Sequence, residues 1–174
     1  MKKVRIGVIG VGNMGSGHAT ILTNGSIPNA ELTALCDIAE ARRTELKKQY
    51  PEIPVFADAE EMMKSGLVDA VTIAVPHYDH PPLAILAFSY GLHVLTEKPA
   101  GVYTKQVLEM NQAAEKSGKV FGIMYNQRTN PVYQKIRQLI QEGALGQMKR
   151  VSWIVTDWYR SQSYHDSCTW RSTW

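Results

Sequence analysis

VRIGVIGVGNMGSGHATIL, residues Val4 to Leu22, is the stretch from which the rest of the chain is read. Val4, Ile6, Val8 and Ile9 form a short apolar run of the kind that becomes a strand buried on both faces. Gly10-Val11-Gly12-Asn13-Met14-Gly15 follows at once and fits G-x-G-x-x-G. The residues after it lack proline and read as a helix. Each glycine has a mechanical reason: Gly10 for the tight turn, Gly12 for close approach of a pyrophosphate, Gly15 for close packing of helix on strand. The helix N-terminus then offers free N–H groups and a positive dipole end to phosphate. By itself the hexapeptide fits a plain structural corner equally well, so its flanks decide.

The second flank is an acid at the end of the next strand. Ala30 to Asp37 is apolar enough for a strand, and Asp37 falls about 20 residues beyond the last glycine, where a carboxylate accepts both ribose hydroxyls of an adenosine half. A 2′-phosphate would be repelled there, so NAD is favoured and NADP is the alternative. Arg42 and Arg43 are the residues that would reverse this preference, or else they are helix surface. Asp37 also has a local reading as N-cap of the following helix.

Composition sets the class. The 174 residues are 44% hydrophobic and 20% charged with a net charge of +3, ordinary for a soluble globular protein with one sizeable core. No basic run suggests a nucleic-acid partner. No apolar stretch reaches the roughly 18 residues of a membrane span, and Met1-Lys2-Lys3 leads straight into a strand, so a cytoplasmic location is expected. Cys36 and Cys168 have no metal-ligand spacing and suit a reducing compartment; no metal site is expected.

Strand and helix patterns alternate along the chain. Helices are expected over 39–49, 58–64, 83–90 and 104–117, and strands at 55–57, 68–75, 92–96 and 120–124. Alternation with helical patterns of about 10 to 15 residues argues for an α/β protein with a doubly wound parallel sheet. Ligands in such sheets sit outside the carboxyl ends of the strands. Those ends deliver Pro76-His77-Tyr78-Asp79-His80, Glu97-Lys98-Pro99 and Tyr125-Asn126-Gln127-Arg128. Each cluster has a bland reading: His80 capping a helix, Glu97 and Lys98 as a surface ion pair, Arg128 merely solvated. Three polar clusters at three equivalent positions outweigh those readings taken singly. Lys98 stands out as the catalytic candidate, since a lysine beside a nicotinamide can hydrogen-bond a substrate hydroxyl and take part in proton transfer as hydride leaves.

GVIGVGNMG, the Cys36-Asp37 pair, AVPHYDH, HVLTEKP and the segment from Tyr125 through NPVYQKIRQLIQEGALGQMKRV together resemble the glucose-fructose oxidoreductase and inositol dehydrogenase family, Gfo/Idh/MocA. The resemblance implies a Rossmann domain over 1–125 and, over 126–174, the beginning of a second α/β domain for substrate and oligomerisation. It implies an NAD(P)-dependent oxidoreductase acting on a sugar, inositol or related polyol. Gly10, Gly12, Asn13, Met14 and Asp37 would hold the dinucleotide. Pro76, His80, Glu97 and Lys98 would lie near the nicotinamide, with Asn126 and Arg128 beside it.

Family members carry a later acid/base histidine, and the chain ends at Trp174 before that motif, so it reads as an N-terminal fragment or a truncated product. His165 falls in a stretch expected to be loop and is not assumed to replace it. Gln147 to Thr156 is expected to form the first strand of the second domain. Trp153, Trp158, Tyr159, Tyr164, Trp170 and Trp174 crowd the last 22 residues, more aromatic surface than one strand buries, and pairing with another copy in a homo-oligomer is the expected remedy. A catalytically inactive nucleotide-binding module is the alternative function.

Overall fold

In the computed structural model, which describes residues 2–166, strand β1 spans Val4–Ile9, β2 Ala30–Cys36, β3 Val55–Phe56, β4 Ala70–Ile73, β5 His93–Thr96 and β6 Phe121–Ile123. Helices α1 (Asn13–Thr23), α2 (Glu40–Gln49), α3 (Ala59–Lys64), α4 (His80–Ser89) and α5 (Thr104–Ser117) join them in turn. All strand pairs are parallel, in the order β3-β2-β1-β4-β5-β6. The order reverses between β1 and β4, so the loops after these two strands diverge and leave a crevice at the carboxyl edge.

Neighbouring residues of β1 show why both faces are covered. Side chains alternate across a strand. Val8 joins Leu32, Leu35, Ala19, Leu22 and Leu46 in one buried cluster. Ile9 joins Val71, Ile73, Ala84, Phe88 and Met110 in another. Full burial of each large apolar side chain contributes roughly 1.5–3 kcal/mol, and a sheet apolar on both faces needs helices on both.

The largest departures from the expected bounds are in α4 and β4. Helix α4 begins at His80, three residues before the expected start, because Pro81 and Pro82 sit in its first turn, where no intrahelical N–H is required. Strand β4 is shorter than 68–75, although Asp69 N–H still donates to Arg5 O. Asp58 caps α3 by accepting the Glu61 N–H at 2.9 Å.

The chain divides into two compact units after Tyr125. The second opens on a 3-10 turn, Asn126–Thr129, followed by α6, Pro131–Gln141, whose N-cap Asn130 accepts the Val132 N–H. The expected strand over 147–156 is absent: those residues are irregular, and Trp153 and Ile154 are exposed. Val, Ile and Trp suit a pleated surface, but a strand exists only against a partner. All six strands of the sheet lie in the first unit. His165, expected in a loop, lies in a short helix, α7, Gln162–Asp166. Cys168, Trp170 and Trp174 fall outside the described residues.

Candidate functional site

The glycine turn is built by contacts that leave no room for other residues. Gly10 has φ 80°, and a Cβ there would stand 2.8 Å from Ala74 O. A Cβ on Gly15 would stand 1.9 Å from Gly10 O. Above Gly12, by contrast, a Cβ would meet nothing within 4 Å, so the turn has an open side. Helix α1 starts there with Gly12 as N-cap and no side chain capping it, and the amides of its first turn, including Asn13 and Met14, have no intrahelical acceptor.

The carbonyls of the turn are tied down instead. Ser16 Oγ donates to Gly12 O at 2.6 Å, and Arg42 donates from Nε to Val11 O and from Nη2 to Ser16 Oγ, both at 2.7 Å. Arg43 Nη1 donates to Asp37 O and Ile38 O. Neither arginine is idle helix surface; both brace the backbone around the turn.

Asp37 is part of the same assembly. Its Oδ2 accepts the Val11 N–H and its Oδ1 the Ala39 N–H, each at 2.9 Å. Ala39, not Asp37, is the N-cap of α2. Two acceptor positions on the carboxylate remain for hydroxyl donors. Ile38, beside it, is 89% exposed and presents a bare apolar face.

Along the same edge, β5 ends in Glu97 and Lys98. Glu97 is 5% exposed and accepts from His18 Nε2 through Oε1 at 2.8 Å, while Oε2 accepts the N–H of Lys98 at 3.2 Å. The expected alternative, an exposed Glu97–Lys98 ion pair, is therefore replaced by a buried Glu97–His18 pair. The Lys98 side chain is exposed, and among the described residues none takes a hydrogen bond or ion pair from its ammonium. The Lys98–Pro99 peptide is cis. His80 is 1% exposed with Nδ1 2.7 Å from Pro99 O and Nε2 2.9 Å from Val75 O. It is no helix cap, and with both nitrogens on carbonyls it has none to offer a ligand directly. It joins the loop after β4, which holds half-buried Pro76, to the loop after β5. The Tyr78 and Tyr103 rings meet at a tilt of 49° with centroids 6.3 Å apart.

The first unit thus brings Gly10, Gly12, Asn13, Met14, Asp37, Pro76, His80, Glu97 and Lys98 to one carboxyl edge. Asn126 and Arg128 belong to the 3-10 turn of the second unit. Arg128 there lines an open groove of about 1220 Å³ together with Tyr133, Gln134, Arg137, Trp153 and Trp158. The contacts of His18 with Glu97, and of Ser16 and Arg42 with the turn, escaped the sequence. Among the described residues no three His, Cys, Asp or Glu side chains gather as metal ligands, and no helix is long and apolar enough to cross a membrane.

A six-stranded parallel sheet with a glycine turn at the reversal of strand order and an acid after the second strand defines the dinucleotide-binding α/β class. The chain belongs to the GFO_IDH_MocA oxidoreductase family with an NAD-binding Rossmann fold, whose model matches residues 4–125. It is 31% identical over 150 residues to an inositol 2-dehydrogenase of Corynebacterium glutamicum, covering 84% of this chain and 44% of that protein. The scyllo-inositol dehydrogenase of Lactobacillus casei, solved with NAD(H) and scyllo-inositol, matches with a TM-score of 0.76 at 28% identity over 83% of this chain and 43% of that one. The WlbA dehydrogenase of Bordetella pertussis, in complex with NADH and UDP-GlcNAcA, matches with a TM-score of 0.86 at 25% identity over 98% of this chain and 51% of that one. The chain therefore spans about half the length of these relatives or less.

Proposed function

We propose that the chain is the cofactor-holding part of an NAD(P)-dependent oxidoreductase that acts on a sugar, inositol or related polyol. The observation that carries this reading is one sheet edge bearing both an uncapped helix N-terminus at an open glycine turn and an exposed lysine on a buried support. The residues present fit NAD. The first-turn amides of Asn13 and Met14 would receive the pyrophosphate over Gly12, the remaining acceptor positions of Asp37 the ribose hydroxyls, and Ile38 the adenine face. The Asp37 carboxylate would repel a 2′-phosphate, so NAD is preferred over NADP.

When bound, NAD supplies a hydride acceptor for oxidation of a secondary alcohol. Lys98 Nζ would hydrogen-bond the substrate oxygen and carry the proton exchanged there, which makes it the proposed catalytic residue. Glu97 holds the backbone from which Lys98 projects. His80 would act by tying the loop after β4, which holds Pro76, to Pro99 rather than by touching ligand. Asn126 and Arg128 are kept as candidates for the nicotinamide end on the strength of the family resemblance.

A sugar nucleotide is the second substrate reading. Similarity to the WlbA dehydrogenase runs over 98% of the chain, against 83% for the scyllo-inositol dehydrogenase, so it takes in residues of the second unit.

Calorimetric titration with NADH and NADPH, followed by NAD reduction assays with inositols, free sugars and UDP-sugars, tests these readings. Expected is micromolar NADH binding, about −8 kcal/mol, with NADPH at least tenfold weaker. Absence of binding to either cofactor overturns the proposal, and binding without turnover of any of these substrates favours the inactive nucleotide-binding module.

The reading extends to a homo-oligomer working in a reducing compartment such as the cytoplasm. Exposed Trp153, Ile154, Trp158 and Tyr159 supply apolar surface for association, and a monomeric mass by light scattering would refute it.

A further inference from the structure

We propose that His18 is a positioning residue that ties the cofactor-binding helix to the segment bearing Lys98, an inference that rests on the function proposed above. His18 lies on α1, whose N-terminus is the glycine turn, and its side chain is 15% exposed. Its Nε2 lies 2.8 Å from Glu97 Oε1, across 79 residues of sequence. A carboxylate only accepts, so the imidazole N–H is the donor.

The pair stands where packing alone would serve. An apolar contact between α1 and the sheet would hold the helix without the cost of burying a carboxylate, which is several kcal/mol unless donors satisfy it. Two donors do so here: the His18 ring and the Lys98 amide, the latter on the other oxygen of the same group. Glu97 is also held from its backbone, since its N–H donates to Ile73 O at 2.8 Å. The backbone from which the Lys98 side chain departs is thereby clamped between β4 and α1. A displacement of α1, the element that receives the pyrophosphate, is transmitted through His18 to the residue assigned to the nicotinamide end. The two ends of one dinucleotide are held in register by one imidazole.

Two ligands separate this role from general support. ADP-ribose reports the adenosine and pyrophosphate half alone, and NADH adds the nicotinamide, whose fluorescence changes with its surroundings. In the 174-residue chain, His18→Leu is expected to leave ADP-ribose affinity within twofold, to weaken NADH at least fivefold and to abolish the emission change seen on binding. His18→Gln keeps a donor near the Nε2 position and should restore both NADH readouts to within twofold. His18→Asn, polar but too short to reach Glu97, should behave as His18→Leu and replaces it should the leucine variant fail to fold. Equal weakening of both ligands would mean a merely structural role and overturn the inference, as would normal NADH binding and emission in His18→Leu or His18→Asn, or failure of His18→Gln to restore them. A wild-type chain that binds neither ligand refutes the proposed function and this inference with it; one that binds both while the variants behave as wild type refutes only the inference.

Discussion

Asp37 Oδ2 accepts the Val11 N–H at 2.9 Å, so the acid after the second strand is built into the glycine turn that it helps to shape. If Asp37 holds the ribose as proposed, ligand recognition and turn stability share one side chain. Asp37→Ala leaves the N–H of fully buried Val11 without its acceptor, a loss of about 1–3 kcal/mol. Urea denaturation should show that loss together with at least a tenfold drop in NADH affinity. Asp37→Asn retains an acceptor without the charge, so it should be milder in stability while narrowing the gap between NADH and NADPH.

Gly15→Ala should fail more severely than its chemistry suggests. Its Cβ would fall 1.9 Å from Gly10 O, a backbone atom that cannot step aside. Destabilisation of about 3 kcal/mol, the upper part of the overpacking range, is expected with loss of NADH binding. Gly17→Ala on the same helix, where a Cβ meets nothing within 4 Å, is the control and should be neutral or slightly stabilising.

How far such effects were legible in the sequence depends on distance along the chain. The turn, the strand before it and Asp37 declare themselves because spacing and periodicity are local. Glu97 and His18, or Arg42 and the Val11 carbonyl, meet only through tertiary folding, and nothing around His18 in the sequence names its partner. The prolines at 81 and 82 read as a break although they occupy the helix's first turn. Residues 147–156 carry strand-forming side chains, yet composition cannot supply the strand they would pair with.

Acid should weaken the pairing of Arg5 with Asp69. The Arg5 guanidinium and N–H hold the Asp69 carboxyl down to about 2, against an ordinary 3.8. A folded-state value below the unfolded one gives stability that is complete above the ordinary value and is lost as pH falls through about 2. Asp69→Asn should melt a few degrees below wild type at pH 6, and the difference should shrink between pH 4 and pH 2 in a thermal scan.

The buried thiol of Cys36 should be inert. Loss of hydration pushes it up to about 12, so thiolate is scarce at neutral pH. In a Cys168→Ser background, a disulfide exchange reagent at pH 8 should titrate no thiol in the native protein and one in guanidinium. Rapid native labelling would show that β2 opens readily.

The division of the chain after Tyr125 has an evolutionary reading. Both buried clusters, all six strands and the edge that carries Asp37 and Lys98 precede that point. The buried clusters are therefore drawn from residues of the first unit. Relatives sharing the half have been solved with partners as unlike as scyllo-inositol and UDP-GlcNAcA. One sheet with one glycine turn thus recurs in proteins whose ligands differ, so conservation of this half says little about what each of them acts on.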